Sequence, residues 1–251
     1  MTATVAIIIA AVLIGTVLQR VSGTGVGLVV APVLSILLGP AFGVLLTNMT
    51  TVVSGFLIML AVWSRIHWRR FWLIGPMAVL GAVPGAWLVG RLGSGWLSVI
   101  LGGTVLAALI VSVALPRLPE WRGGVPALAA GLIGGFFNTT SGVAAPVMVI
   151  YSRLSRWDHR SFAATLQPVF MTMGAASVLA KLGMGSVELG DAGIRLEWLF
   201  PGIALTVLAG IGAGTLLARI VPVPWARRTA LALAGLGGLG ALVRGLTEVL
   251  G

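Results

Sequence analysis

Residues 19–27 read Gln-Arg-Val-Ser-Gly-Thr-Gly-Val-Gly and interrupt an apolar region at 3–39. Residues 138–142, Asn-Thr-Thr-Ser-Gly, interrupt a second apolar region at 124–151 in the same way. Each region is too long for one ordinary membrane-spanning helix, which needs about 20 apolar residues. Small and polar residues in the middle of an apolar run are typical of helices that break inside a membrane. We therefore predict that each region is a broken or re-entrant, glycine-rich segment.

The rest of the chain is also apolar. Hydrophobic residues make up 58% of its 251 residues and charged residues 9%, where a soluble domain carries about 25% charge. The sequence therefore predicts an all-α polytopic membrane protein with about 8 to 10 membrane segments. Residues 1–18 are expected to be the first segment and not a cleaved signal, because they lack a basic start and a small-residue cleavage site. Six further stretches are long enough to span a bilayer: 42–63, 71–90, 97–115, 161–183, 198–218 and 229–247.

The positive charge is distributed unevenly along the chain, whose formal net charge is +10. If each broken region returns to the side on which it enters, 12 of the 16 Lys and Arg residues fall on one face. If each region crosses once instead, the basic residues divide nearly evenly. The first arrangement obeys the positive-inside rule, so we expect the arginine-rich face to be cytoplasmic and both termini to lie outside. Scattered charge without a basic face or an aromatic platform argues against nucleic-acid binding.

The sequence contains an internal repeat. Equivalent loops fall on opposite faces, so the second repeat is predicted to be inverted, which is the architecture of many secondary transporters. Duplication for helix packing alone is the alternative. Residues 81–88 resemble 210–217, and residues 29–33 resemble 143–147. The predicted division is a first transmembrane repeat at 1–116, a cytoplasmic connection at 117–121 and a second repeat at 122–251, which together form one membrane domain.

The residue types that carry most enzyme chemistry are missing from the predicted spans. All six carboxylates lie in predicted loops or at a chain end, and both histidines lie in basic loops. The sequence has no cysteine and no Gly-x-x-x-x-Gly-Lys phosphate loop. We therefore expect no enzyme activity, no metal and no cofactor. Lys181 lies near the outer end of its span, where we expect it to anchor the helix at the membrane interface.

The two breaks are predicted to form an anion site. Each places polar residues before a short apolar run, so each is expected to cap a short helix whose N–H groups and positive dipole end point into the protein. Two such helix starts that meet near the midplane would bind an anion. The alternative is that the glycines permit close contact, the hydroxyls only cap helices and the amides only bond between helices. The candidate substrate-binding residues are Arg20, Ser22, Thr24, Gly25, Asn48, Thr51, Asn138, Thr139, Thr140, Ser141 and Gln167.

These motifs resemble the sulfite exporter TauE/SafE family of anion permeases. The resemblance rests on residues 19–32 and 38–48 in the first half and on 135–146, Tyr151 and 157–167 in the second. Together with the repeat, it implies a secondary transporter of the bacterial inner membrane that moves sulfite, an organosulfonate or a related sulfur or carboxylate anion by alternating access. Its partners would be that anion and the lipid bilayer, with a homodimer left open. A passive anion channel and a non-transporting membrane assembly factor are the rival functions.

Overall fold

The computed structural model describes residues 2–22, 26–114, 118–121, 123–187 and 196–251. Over these residues the chain is helical and contains no strand. A short 3-10 turn at Trp63–Arg65 follows the third helix. The helices are α1 Thr2–Ser22, α2 Gly27–Leu38, α3 Pro40–Val62, α4 Trp68–Val89, α5 Ser94–Ala114, α6 Gly124–Ser141, α7 Ala145–Leu154, α8 His159–Gly183, α9 Leu196–Leu217 and α10 Val223–Leu250.

Six described helices are long and apolar enough to cross a membrane, and they confirm the six predicted spans. The first of these spans consists of α3 and the 3-10 turn that follows it, and the others are α4, α5, α8, α9 and α10. The remaining helices belong to the two broken regions. Helices α2 and α7 have 12 and 10 residues, so at about 1.5 Å per residue they reach only about half-way through a bilayer.

Both broken regions divide where the sequence predicts. In the second region α6 ends at Ser141, and Gly142 follows with φ +74°, a left-handed conformation that favours glycine at a helix end. The prediction that the polar residues cap the short helices is wrong for α7. Residues 138–141 form the last turn of α6, and α7 begins at Ala145, where the N-cap residue Ala144 makes no side-chain hydrogen bond. Helix α2 likewise begins at Gly27, and its N-cap residue Val26 makes no side-chain hydrogen bond.

Small residues bring the helices together. A Cβ added to Gly131 or Gly135 of α6 would overlap the backbone of α4 at Ile74 or Ala78. Helices α5 and α10 approach in the same way through Gly102, where a Cβ would lie 2.5 Å from the Gly238 carbonyl oxygen. Such contacts drive helix association in a membrane, where burial of apolar surface contributes little. The high glycine content of the chain therefore reflects packing and not disorder.

The helix contacts repeat between the two halves of the chain. Helix α4 packs against α6 as α9 packs against α1, and α2 contacts α10 as α7 contacts α5. Helices α3 and α8, which correspond to each other, pack directly together. This pattern of contacts agrees with the predicted repeat. Helices of one half pack against helices of the other half. The inversion of the second half and the boundaries near 116 and 122 stay predictions, since residues 115–117 and 122 lie outside the described residues.

Helices α3 and α8 run antiparallel in a defined register. A Cβ on Gly55 would lie 2.9 Å from the Gln167 carbonyl oxygen, and a Cβ on Gly174 would lie 2.9 Å from the Asn48 carbonyl oxygen. The loops at one end of this pair carry many of the arginines, and we call it the arginine-rich end; there Arg70 donates to the Ser155 hydroxyl. The opposite end holds the connection between α2 and α3 and is called the outer end, after its predicted orientation.

Candidate anion site between two broken helices

The starts of the two short helices meet at one buried cavity, which we call the central cavity. Its lining includes Val26, Gly27 and Leu28 from the start of α2, and Ala144 and Ala145 from the start of α7. The contact between the two starts is close, because a Cβ on Gly27 would overlap the carbonyl oxygen of Gly142. The predicted meeting of the two breaks is therefore confirmed by the structure.

The backbone makes the central cavity electropositive. The first N–H groups of a helix have no carbonyl partner within the helix, and the aligned peptide dipoles place about half a positive charge at that end. Here two helix starts contribute to the same small space. The cavity has a volume of about 20 Å³, enough for one water molecule, so this conformation is closed around the site.

Two predicted side chains, Thr51 and Asn138, line the central cavity, together with the aromatic wall of Phe170. The Thr51 hydroxyl donates to the Thr47 carbonyl at 2.9 Å within α3. Its neighbour Thr50 makes the same kind of bond to Leu46 at 2.9 Å but does not line the cavity. Thr51 and Thr50 are therefore a matched pair, alike in chemistry and burial and different in their access to the site.

Asn138 is held in place by Asn48. The Asn138 amide donates to the Asn48 side-chain oxygen at 3.0 Å, and the Asn48 amide donates to the Asn138 carbonyl at 3.3 Å. The Asn48 amide also donates to the Ser177 hydroxyl at 2.7 Å. Asn48 thus joins α3, α6 and α8 beside the cavity without being one of its lining residues. Asn48 therefore forms hydrogen bonds between helices, which was the alternative to a substrate-binding role in the sequence analysis.

A second cavity, which we call the basic vestibule, opens at the arginine-rich end. It has a volume of about 220 Å³, and none of the described residues that line it is acidic. Gln19 and Gln167 lie along it, and the Gln19 amide donates to the Gln167 side-chain oxygen at 3.5 Å, which links α1 to α8. Its basic lining residues are Arg20, Arg65, His159 and Arg160.

Arg20 is positioned by α9. Its Nε donates to the Thr215 hydroxyl at 3.1 Å, and its side chain packs over Gly214, where a Cβ would lie 2.8 Å from the Arg20 Cβ. The structure therefore places Arg20 and Gln167 in the basic vestibule and not in the central cavity.

A third cavity, which we call the outer cavity, opens at the outer end. It has a volume of about 600 Å³ and is lined by the connection between α2 and α3, by α3 at Ala41 and Phe42, and by Ser186 and Val187 after α8. Helix α3 also lines the basic vestibule, with Ile58 and Val62, and the central cavity, with Thr51. The three cavities therefore follow one another along this helix, from one end of the bundle to the other.

The other predicted site residues do not line the central cavity. The Thr140 and Ser141 hydroxyls donate to the carbonyls of Phe136 and Phe137 at 3.0 and 2.7 Å, within their own helix. Thr139 is fully buried against α4 and its hydroxyl has no hydrogen-bond partner among the described residues. Contact of these three with substrate stays a prediction. The Ser22 side chain, Thr24 and Gly25 lie outside the described residues.

Lys181 is the buried charge that sequence reasoning assigned wrongly. It was expected to anchor α8 at the interface, but its side chain is fully buried, and its ammonium has no hydrogen-bond partner in the described part of the chain. A signal was present in the sequence. Lys181 is the only lysine, beside 15 arginines, and it lies inside an apolar span.

Comparison with known proteins gives a family match over most of the chain. The family model described as "Sulfite exporter TauE/SafE" matches residues 7–241. The chain is also similar to the probable inner membrane transporter protein TsaS of Comamonas testosteroni. The two are 26% identical over 219 residues, which cover 80% of this chain and 88% of that protein. No solved structure matches the chain.

Proposed function

The chain belongs to the sulfite exporter TauE/SafE family, and we propose that this multi-pass membrane transporter moves a small anion across the bacterial inner membrane by alternating access. The proposed substrates are sulfite, an organosulfonate or a related sulfur or carboxylate anion. The observation that carries the proposal is the meeting of the α2 and α7 starts at one buried cavity. Helix starts bind anions through free N–H groups and the dipole, and here two act together.

The side chains around the site also favour an anion over a cation. The Asn138 amide and the Thr51 hydroxyl can each donate a hydrogen bond to an oxyanion. The described lining of the central cavity contains no carboxylate, which a sodium or proton site would normally use. The approach through the basic vestibule carries three arginines and a histidine. Along the described lining of the vestibule, a sulfonate would meet only positive or neutral side chains.

The sizes of the three cavities support alternating access. The basic vestibule and the outer cavity are larger than the central cavity, which holds about one water molecule. A sulfite ion does not fit in the central cavity of this conformation, so transport requires the helix starts to separate. Separation toward one end and then the other would open the site to each side in turn. In this proposal, a closed state such as this one lies between those two openings.

The experiment combines anion binding and transport. Purified protein in detergent is heated with sulfite, methanesulfonate, acetate or sodium ions, because a ligand that binds only the folded state at about 100 times its dissociation constant adds roughly 2.7 kcal/mol. We expect stabilisation by at least one of the three anions and saturable uptake of that anion in proteoliposomes. Flux that does not saturate would identify a channel. If neither binding nor flux is seen for any anion, the transport proposal is wrong and an assembly role is favoured.

A pair of variants then tests the position of the site. Thr51→Val removes a hydroxyl at the central cavity, and Thr50→Val removes a similarly buried, similarly bonded hydroxyl one residue away. We expect Thr51→Val to weaken anion binding about three- to tenfold, as the loss of one hydrogen bond would, and Thr50→Val to bind as the parent does. Equal affinities in the two variants would place the anion elsewhere.

A further inference from the structure

The single lysine of the chain is an unexplained buried charge. Lys181 is fully buried in α8 and its ammonium has no hydrogen-bond partner among the described residues. Removing an ion from water costs several kcal/mol in a protein, and a buried ion without a partner is strongly destabilising. Ionisable residues within membrane spans usually serve transport or binding for this reason. Lys181 is not an interfacial anchor, so its burial calls for another role.

The register of α3 and α8 shows where Lys181 lies along the path. Gln167 lies opposite Gly55, and Gly174 lies opposite Asn48. Continued by seven residues in the same antiparallel register, the pairing places Lys181 at the level of Ala41, which lines the outer cavity. The Lys181 carbonyl also accepts a hydrogen bond from the Ser186 N–H at 2.9 Å. Ser186 lines the outer cavity too, whereas Lys181 does not. The helix register and this backbone contact therefore place Lys181 next to residues that line the outer cavity.

Lys181 also shares a helix face with the residues that hold the site. One face of α8 carries residues spaced three and four positions apart, namely Gly174, Ser177 and Lys181. Ser177 accepts the hydrogen bond from Asn48, and Asn48 holds the Asn138 that lines the central cavity. Lys181 therefore lies one helical turn beyond this hydrogen-bonded group, between the central cavity and the outer cavity.

No described carboxylate balances this charge. Asp158 caps the start of α8 at the arginine-rich end, where it accepts from the Ser161 N–H. Glu120 lies in the connection before α6, also at that end. Glu248 is bonded to Ser94 near the end of α10. Glu188 and Asp191, in the segment that follows α8, and the side chain of Glu197 at the start of α9 lie outside the described residues and are addressed in the test below.

We propose that Lys181 is an anion-binding residue of the transport path, which contacts the substrate on the outer side of the central cavity. This inference rests on the proposed anion transport. Arg20, Arg65 and Arg160 then attract the anion at the arginine-rich end, the helix starts hold it at the centre, and Lys181 receives it before the outer cavity. A lysine suits this step because its ammonium is a compact charge on a flexible stem, able to follow an anion over several ångströms.

The test compares Lys181→Met, Lys181→Arg and Arg91→Gln with the parent protein. Arg91 is an exposed cation of the outer end that stacks on Trp87, so Arg91→Gln removes one charge from the same end without touching the path. The measured quantities are the unfolding temperature without ligand and the affinity for the anion that stabilises the parent, whether sulfite, methanesulfonate or acetate.

We expect Lys181→Met to bind that anion about 10- to 100-fold more weakly, as the loss of a hydrogen bond from a charged group would. It should also unfold at the same temperature as the parent or a higher one, because an apolar side chain replaces a buried charge. Lys181→Arg should retain most of the affinity, and Arg91→Gln should behave as the parent does. Higher stability together with weaker binding separates an anion-binding residue from one that only supports the fold.

Two results would overturn this role while leaving the proposed function intact. One is an unchanged anion affinity in Lys181→Met. The other is a loss of stability in Lys181→Met that is restored when Glu188→Gln, Asp191→Asn or Glu197→Gln is added, which would show an ion pair within the protein. If Lys181→Met does not fold, Lys181→Gln takes its place: a folded Lys181→Gln protein with weaker anion affinity supports the role, and one with the affinity of the parent overturns it. Absence of anion binding by the parent protein would instead refute the proposed function, and this inference with it.

Discussion

Gly27 is the position at which a single methyl group should separate the two helix starts. A Cβ there would overlap the Gly142 carbonyl oxygen, and this neighbour is backbone, which cannot rotate away. To restore a normal contact of about 3.5 Å, the starts of α2 and α7 must move apart by roughly 1 Å. Gly27→Ala is therefore expected to disturb both the packing of the bundle and the geometry of the central cavity.

The expected cost of Gly27→Ala can be stated from the two opposing terms. Overpacking a tight contact costs about 1–3 kcal/mol, and alanine in place of glycine in a helix returns about 0.5–1 kcal/mol. The net loss is about 0–2.5 kcal/mol. For a chain of this size each kcal/mol lowers the unfolding temperature by about 2–4 °C. Anion affinity should fall about tenfold, because the N–H groups of the two helices no longer converge.

The assay is thermal unfolding in detergent, with and without the stabilising anion, followed by transport in proteoliposomes. The matched control is Gly103→Ala in the interior of α5, where an added Cβ meets no atom within 4 Å. It should be at least as stable as the parent and should transport normally. If Gly27→Ala unfolds at the same temperature as Gly103→Ala and binds the anion equally well, the close approach of the two helix starts contributes neither to stability nor to anion binding. That result would refute the prediction.

Three further variants test the surroundings of the site. Asn48→Ala should cost about 1–3 kcal/mol, because it leaves buried groups of Asn138 unpaired; in a double-mutant cycle with Asn138→Ala, a coupling below about 0.5 kcal/mol would contradict the bonds described. Arg20→Gln should slow anion uptake measured from the arginine-rich end while leaving the fold intact, and uptake at the parent rate would remove Arg20 from the mechanism. Thr139→Val removes a buried hydroxyl that has no partner among the described residues, so the unfolding temperature should stay the same or rise; a clear fall would mean that the hydroxyl is bonded in another conformation.

The sequence predicted the membrane helices and both breaks because these depend on local properties. An apolar run of sufficient length spans the bilayer wherever it occurs, and Gly142 after a polar cluster marks a helix end regardless of the partners around it. The pairing of the two breaks could also be predicted, since the internal repeat places them in equivalent positions. These parts of the fold need no knowledge of how the helices face one another.

The functions of individual polar residues depend on neighbours that the sequence does not show. The hydroxyls of Thr140 and Ser141 could end the preceding helix or begin the next one. In the structure they end the preceding helix, because each hydroxyl donates a hydrogen bond to the carbonyl four residues earlier. Lys181 near the end of a hydrophobic span suggests an anchor, but its rotational position in α8 turns it into the bundle. Rotation about the helix axis is set by packing against α3, which hydropathy alone cannot give.

The small volume of the central cavity has a consequence for the cell that is separate from substrate binding. A bacterial inner membrane stores energy as a voltage, and each elementary charge that leaks through 100 mV dissipates about 2.3 kcal/mol. A carrier that opened to both sides at once would let ions leak across the membrane and lower this voltage. With room for about one water molecule between two larger cavities, the closed bundle of the proposed carrier would act as an electrical insulator. The close contact between Gly27 and Gly142 would then help to conserve the membrane potential whenever the carrier is idle.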